Sequence, residues 1–351
     1  MISYQIIEHG KPLQKVLADT PKPQGGEVLV RITRSGVCHS DLHIWEGYFD
    51  LGGGKRFYVK ERGCVPPFTP GHEPLGIVEA VGPKAPKSLV GKKRLVHPWI
   101  GCGKCAICKA GNDNYCVSGR RIPGVTRPGA YATHVLVPDA KYLVDSSGIE
   151  DSFAATLACS GVTAYSAAAK LPTLAPADRV AVIGCGGVGM AGIAVLRAKG
   201  AKNIVACDID SEKLRIAIKL GARETVNTRE PDAAQKLQGI AGAIDFVGMP
   251  ATAALGIGAL RNGGRYVVVG LYGGELVHPL PPIAQRAIGI QGSYVGSLQE
   301  LKAVVALAKK GKLKPMPVET RPAEQANQSL EDLKGGRVVG RVVLDFERLS
   351  A

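Results

Sequence analysis

Two textures of apolar and polar positions divide the chain. Up to about residue 150, apolar residues come in short runs cut by Gly and Pro: Glu27–Thr33 alternates, and Gly76–Ala80 follows closely on Pro74. A period of two, punctuated by turn residues, predicts short β-strands. No long helical period interrupts them. From Asp151 the period lengthens. Asp151–Lys170 is Ala-rich and reads as helix, after which Arg179–Ile183 reads as strand, Gly187–Lys199 as helix, Asn203–Asp208 as strand and Ser211–Leu220 as helix. Further strands are expected at Ala243–Val247, Arg265–Val269 and Ile288–Gly292. This βαβ alternation predicts a parallel sheet covered by helices on both faces. Leu298–Lys310 reads as a closing helix, and Gly340–Phe346 returns to strand character, able to rejoin the first half.

Composition narrows the class. A length of 351 residues fits about two domains, and 45% apolar with 21% charged residues fits a globular chain. No apolar run is long enough to span a bilayer, so no membrane association is expected. The opening Met1–Gln5 lacks the basic and apolar blocks of a secretion signal, and a cytoplasmic location is expected. The net charge of +14 comes from scattered Lys and Arg, with no basic run interleaved with aromatics. That pattern favours a positive field attracting an anionic dinucleotide over a nucleic-acid surface. Of nine cysteines, four fall between Cys102 and Cys116, which favours reduced, metal-binding thiols over disulfides.

Gly184-Cys185-Gly186-Gly187-Val188-Gly189 follows one expected strand, opens one expected helix and is followed 19 residues beyond Gly189 by Asp208. A lone GxGxxG says little, but this context is that of a dinucleotide fingerprint. Gly184 allows the tight turn, Gly186 lets the backbone approach a pyrophosphate, and Gly189 lets helix and strand pack closely. The helix N-terminus offers unpaired N–H groups to the phosphates. Asp208 is placed to accept from the adenosine ribose hydroxyls and repels a 2′-phosphate, so NAD is expected rather than NADP.

Cys102, Cys105, Cys108 and Cys116 follow the spacing C-x2-C-x2-C-x7-C. Four thiolates so close can wrap one tetrahedral zinc with no open position, a structural site. Lys104 and Lys109 would offset its net negative charge. A similar run can hold an iron–sulfur cluster, but the Pro that usually follows a late Cys in such runs is absent, and zinc is preferred.

Three further segments carry potential ligands: Gly36-Val37-Cys38-His39-Ser40-Asp41-Leu42-His43, Pro70-Gly71-His72-Glu73 and Ala158-Cys159-Ser160-Gly161. Each alone is unremarkable, since a buried Cys is usually a small hydrophobe. Together with the four-cysteine run and the glycine motif, the chain resembles the zinc-containing alcohol dehydrogenases of the medium-chain dehydrogenase/reductase family over essentially its whole length. The stretch Val96–Gly101 and the long Tyr48–Phe68 connection look most like the tetrameric archaeal and bacterial members.

The resemblance implies a GroES-like, mostly-β catalytic domain (1–160 and 297–351, with a zinc lobe at about 96–120) and a Rossmann domain, a doubly wound parallel sheet, at 161–296. It implies two zinc ions per subunit, with Cys38, His72 and Cys159 as ligands of a catalytic one. Glu73 would be either a carboxylate behind those ligands or an exchangeable ligand itself. Asp41 would hydrogen-bond His72 and fix its tautomer. The implied reaction is reversible oxidation of primary or secondary alcohols to aldehydes or ketones, with hydride passing to NAD. Ser40 would take the hydroxyl proton and pass it through the nicotinamide ribose to His43 and solvent. His39 and Arg341 resemble pyrophosphate contacts, Thr163 lies at a position under the nicotinamide, and Val269 and Ser293 lie near the carboxamide. Lys213 either reaches the adenosine ribose or is an ordinary helix-surface lysine.

Trp45, Trp99 and Tyr294 map by the same resemblance to the walls of the substrate cleft, which favours alcohols with apolar or aromatic bodies. The Tyr48–Phe68 segment, with three consecutive glycines, reads as a mobile loop over the cleft mouth or, equally, as a subunit contact or surface loop. A homotetramer is expected, with a dimer next. Two rivals are a zinc-free quinone or enone reductase of the same superfamily and a non-catalytic nucleic-acid-binding relative. Neither has a use for the full ligand set. No role is assigned to Cys64, Cys185 or Cys207.

Overall fold

A computed structural model describes residues 1–349. Two sheets organise the chain. The first has the strand order Val318–Pro322, Arg341–Asp345, Val28–Val37, Pro74–Val81, Lys93–Val96, Leu143–Val144, with His134–Val137 also pairing to Val28–Val37. The expected strand Glu27–Thr33 thus runs on through polar residues to Val37. It does so because Arg341–Asp345 pairs with that end on one side and Pro74–Val81 on the other. Arg34, mid-strand and polar, is held by Asp345 and Glu347 at 2.7 and 2.9 Å. The strand therefore delivers Cys38 directly to the start of the helix His39–Glu46.

The second sheet is six-stranded and parallel, in the order Glu224–Asn227, Asn203–Asp208, Arg179–Ile183, Ile240–Asp245, Leu260–Val268, Gly289–Gly292. Numbered along the chain this is 3-2-1-4-5-6, the doubly wound order, whose switch point lies between the first and fourth strands. Three expected strands differ at their ends. Ile240–Asp245 begins earlier than Ala243, Leu260–Val268 earlier than Arg265, and Gly289–Gly292 loses Ile288. Neighbouring strands, not local alternation, set those ends.

The Ala-rich segment is one helical rod with a defect. Asp151–Thr156 and Val162–Ala169 are α-helical, and Leu157–Gly161 between them is a π-turn. Thr156 and Ser160 hydroxyls donate to the carbonyls of Phe153 (2.7 Å) and Thr156 (2.8 Å), competing with the regular ladder. A π-bulge inserts a residue and re-aims the side chains that follow, often at functional sites. Here it holds Cys159. The rod packs into a core that runs from Leu75 and Trp99 of the first half to Val180, Met190 and Ile204 of the second. It is the spine between the two sheets.

Among the described residues, no helix is long and apolar enough to cross a membrane.

Candidate active site

Cys38, His72, Glu73 and Cys159 converge where the strand end, the Pro70–Glu73 turn and the π-turn meet. All four are buried, and their ligand-type atoms lie within 4.8 Å of one another. Cys38 and Cys159 Sγ are 3.9 Å apart. His72 donates from Nδ1 to Asp41 Oδ1 at 2.8 Å. Asp41 is itself fully buried, and its other donors are the amides of Cys38 (3.0 Å) and Gly71 (3.2 Å) and the Tyr131 hydroxyl (3.4 Å). With Nδ1 taken, His72 Nε2 is left buried with no hydrogen-bond partner, as is Glu73 Oε2. Buried polar atoms without partners are rare and need a reason. Two thiols, an imidazole nitrogen and a free carboxylate oxygen aimed at one point are a donor set that fits zinc.

Electrostatics within the cluster are uneven. The Cys159 hydrogen bond, and His72 beside it, hold the Cys38 thiol well below its ordinary range. Cys159 is pushed up in turn, first by Cys38 and then by burial. The carboxylate of Glu73 is ion-paired with the buried guanidinium of Arg341 through Oε1, leaving only Oε2 facing the cluster.

In the lobe, Cys102–Cys108, Cys105–Cys108 and Cys105–Cys116 sulfurs are 3.9, 3.5 and 4.0 Å apart. Zinc–sulfur bonds of about 2.3 Å in a tetrahedron put sulfurs roughly 3.8 Å apart, so these residues also fit zinc. The amides of Lys104 and Cys105 hold Cys102 down to about 6, while burial pushes Cys108 up to about 12. All nine cysteines are unbridged.

A cavity of about 920 Å³ joins the cluster to the glycine turn, lined by Cys38, His39, Ser40, His43 and Cys159 on one side and by Gly184, Gly186–Gly189 and Asp208 on the other. Thr163, Lys213, Val269, Ser293 and Arg341 line it too. Thr163 Oγ1 and Ser293 Oγ are buried without partners. Gly184 has φ +86° and turns the chain, while nothing lies within 4 Å of a methyl placed on Gly186. A methyl on Gly189 would overlap the Gly184 carbonyl oxygen, and one on Gly187 the Arg341 side chain. Asp208 accepts from the Cys185 amide (2.6 Å) and the Asp210 amide (3.0 Å), which fixes its carboxylate at the end of its strand. Lys213 Nζ is 3.7 Å from Asp210.

Trp99 and Tyr294 line the cavity, edge to face at 6.0 Å, and Trp99 lies 5.4 Å from the His72 ring. Trp45 does not line it, correcting the sequence-based expectation. On the helix His39–Glu46, Ser40, Leu42 and His43 line the cavity while Trp45 packs into the catalytic core, where its indole donates to the Lys11 carbonyl. The Tyr48–Phe68 segment is also more regular than a loop. Tyr48–Gly52 and Lys55–Tyr58 form a hairpin pairing Phe49 with Phe57, and a 3-10 turn, Val59–Arg62, follows. Its Phe49, Leu51, Phe57, Val59 and Arg62 line the cavity, as do Val125 and Gly270–Gly274. Sequence reasoning missed these residues. For the hairpin, the aromatic pairs Tyr48-Phe49 and Phe57-Tyr58 on either side of the three glycines were the available signal.

The two glycines allow a direct check of the turn. Gly189→Ala should destabilise the chain by about 1–3 kcal/mol in urea unfolding, because strand and helix must separate. Gly186→Ala should stay within about 0.5 kcal/mol of the parent. Equal losses would contradict the packing role of Gly189.

The family model described as the alcohol dehydrogenase GroES-like domain matches residues 24–147, and that described as zinc-binding dehydrogenase matches 187–310. An NAD-dependent alcohol dehydrogenase of Sulfurisphaera tokodaii is 35% identical, over 98% of this chain and 99% of its own. The crystal structure of an alcohol dehydrogenase from the archaeon Aeropyrum pernix is similar with a TM-score of 0.89 and 32% identity, covering 98% of this chain and 100% of that one. Acetophenone reductase from Geotrichum candidum, solved in complex with NAD, has a TM-score of 0.86 and 29% identity, with 99% and 98% covered. The chain thus belongs, over nearly its full length, to the zinc-containing alcohol dehydrogenases of the medium-chain dehydrogenase/reductase family.

Proposed function

We propose that this protein oxidises alcohols reversibly to aldehydes or ketones with NAD, using one zinc held by Cys38, His72 and Cys159 and a second, structural zinc held by Cys102, Cys105, Cys108 and Cys116. One observation carries the reading: a buried Cys–His–Cys set, its histidine oriented by Asp41 with Nε2 unpartnered, lies in the same cavity as a dinucleotide turn. When bound, zinc supplies a Lewis acid that acidifies the alcohol hydroxyl, and NAD supplies the hydride acceptor.

The chain's own residues do the rest. Asp41 holds His72 in the tautomer that leaves Nε2 free to ligate. Ser40 receives the hydroxyl proton at Oγ, and His43 passes it on from its ring. Burial lowers His43 below its ordinary value, which keeps the imidazole neutral and able to accept. The His43 ring packs against Phe49, tilted by 37° with centroids 4.7 Å apart, which restricts its orientation. Gly184–Gly189, His39 and Arg341 receive the pyrophosphate, Asp208 and Lys213 the adenosine ribose, and Thr163, Val269 and Ser293 the nicotinamide. Arg341 serves two masters, since it also neutralises Glu73 behind the zinc ligands. Trp99 and Tyr294, with Phe49 and Phe57, favour apolar or aromatic substrates, and the likeness to an acetophenone reductase supports this. The proposed division of the chain, 1–160 with 297–351 against 161–296, follows the two sheets.

A homotetramer is proposed as well. The edge strand Gly289–Gly292 carries exposed Ile290, and Leu276, Val277 and Leu280 nearby in sequence are 46%, 90% and 77% exposed. Light scattering should read four chains. A monomer would contradict the reading.

Initial rates with NAD(H) and NADP(H) over a panel of alcohols, aldehydes and ketones test the activity. Aromatic and apolar alcohols with NAD should be fastest, and equal use of NADP would overturn the role given to Asp208. Cys159→Ala should abolish turnover and lower the zinc content from two per chain to one while circular dichroism stays unchanged. Retained activity or two retained zincs would exclude Cys159 as a ligand.

A further inference from the structure

The hairpin Tyr48–Tyr58 does not stand free. Its tip, Gly52-Gly53-Gly54, lies against the segment Gly273–Glu275 of the nucleotide-binding half. A methyl added to Gly52 would sit 2.7 Å from both the Gly274 carbonyl carbon and Glu275 Cγ, and one added to Gly53 would sit 2.9 Å from Glu275 Oε1. From the opposite side, a methyl on Gly273 would sit 2.9 Å from the Cβ and carbonyl oxygen of Asp50. At Gly52 and Gly273 backbone therefore meets backbone at a distance that no side chain permits, while Gly53 meets only the end of the Glu275 side chain. Lys55 and Glu275 add an exposed ion pair at 3.8 Å, which contributes little by itself.

Turn geometry alone does not explain these glycines. Gly54 has φ +75° and nothing within 4 Å of an added methyl, so the turn needs it only for its backbone angle. Gly52, at φ +83°, needs both the angle and the empty space. The segment it meets continues from Gly270, Leu271 and Tyr272, which line the same cavity as Phe49 and Phe57 of the hairpin.

We propose that Gly52 and Gly53, seated on Gly273–Glu275, are positioning residues that hold the Phe49–Phe57 hairpin closed across the two halves and thereby set selectivity for bulky over small alcohols. The inference rests on the alcohol dehydrogenase reading for its substrate, and on contacts alone for the seat. A seated hairpin presents a fixed aromatic wall to the body of a large alcohol. A small alcohol does not reach that wall. Because the seat belongs to the nucleotide-binding half, the shape of the substrate pocket depends on a segment that also lines the cofactor groove.

The test compares Gly52→Ala with Gly54→Ala in the zinc-loaded full chain. Both put an L-residue at positive φ in one turn and share that backbone penalty, but only the first collides with the seat. Without cofactor or substrate, amide hydrogen exchange across the hairpin strands should be about tenfold faster in Gly52→Ala than in Gly54→Ala. With NAD, KM for benzyl alcohol should rise about tenfold in Gly52→Ala relative to Gly54→Ala, with KM for ethanol and both kcat values within about twofold. Should Gly52→Ala fail to fold, Glu275→Arg, a surface change that sets like charge against Lys55, should speed hairpin exchange about threefold. Equal exchange in Gly52→Ala and Gly54→Ala overturns the seat. Faster exchange with equal shifts in KM for both alcohols overturns its role in selectivity. A wild-type chain that turns over no alcohol overturns the reading of the activity, and the exchange comparison still decides the seat.

Discussion

A single buried carboxylate organises the reactive centre. Asp41 has no exposed surface, so its charge must be met by donors inside the protein. It meets four: the amides of Cys38 and Gly71, the ring of His72 and the hydroxyl of Tyr131. These come from the strand–helix junction, the turn after Pro70 and the segment around residue 131, which are distant in sequence. Satisfying one carboxylate therefore fixes the positions of two proposed zinc ligands and the tautomer of one of them. The same bond leaves His72 Nε2 without a partner, a deficit that a metal ion relieves. Structure and chemistry are coupled at that atom.

The second constraint is that the site is divided between two sheets. The catalytic half supplies Cys38, Ser40, His43 and His72. The parallel sheet supplies the glycine turn and Asp208 at its switch point. The helical rod between them supplies Cys159 from a π-turn, where the ladder is interrupted by the Thr156 and Ser160 hydroxyls. Arg341, on the strand that returns from the end of the chain, touches both halves, pairing with Glu73 and lying against Gly187. The Phe49–Phe57 hairpin closes the remaining side. Each half is incomplete as an active site, so the packing that joins them is part of the function.

Much of this is legible in the sequence where a local pattern carries the meaning. Arg179–Ile183, Asn203–Asp208 and Ser211–Leu220 occur as the periodicity predicts, and the four cysteines of the lobe bring their sulfurs within 4.8 Å of one another. The Asp41–His72 bond follows from the family resemblance and is present in the structure. What escapes the sequence depends on tertiary context. Trp45 faces the core because His43, two residues earlier, takes the cavity-facing position, which spacing alone does not orient. The three glycines of the hairpin suggest mobility, whereas Gly52 is small because another backbone lies against it and Gly53 lies against the Glu275 carboxylate. The π-turn at Cys159 leaves no mark on an Ala-rich run beyond its hydroxyl residues and one glycine. Strand ends in the parallel sheet move because pairing decides them.

If Asp41 is the keystone, its removal should be felt first by the metal and not by the fold as a whole. The direct measurement is the zinc affinity of the Cys38–His72–Cys159 site in Asp41→Asn, by chelator competition, with the four-cysteine lobe as internal reference. An amide puts a donor in place of one oxygen, against either the Cys38 amide and Tyr131 hydroxyl or the Gly71 amide and His72 ring, and the affinity should fall about 10–100-fold while the lobe keeps its zinc. A folded Asp41→Asn protein whose catalytic site binds zinc as tightly as the parent would contradict the account.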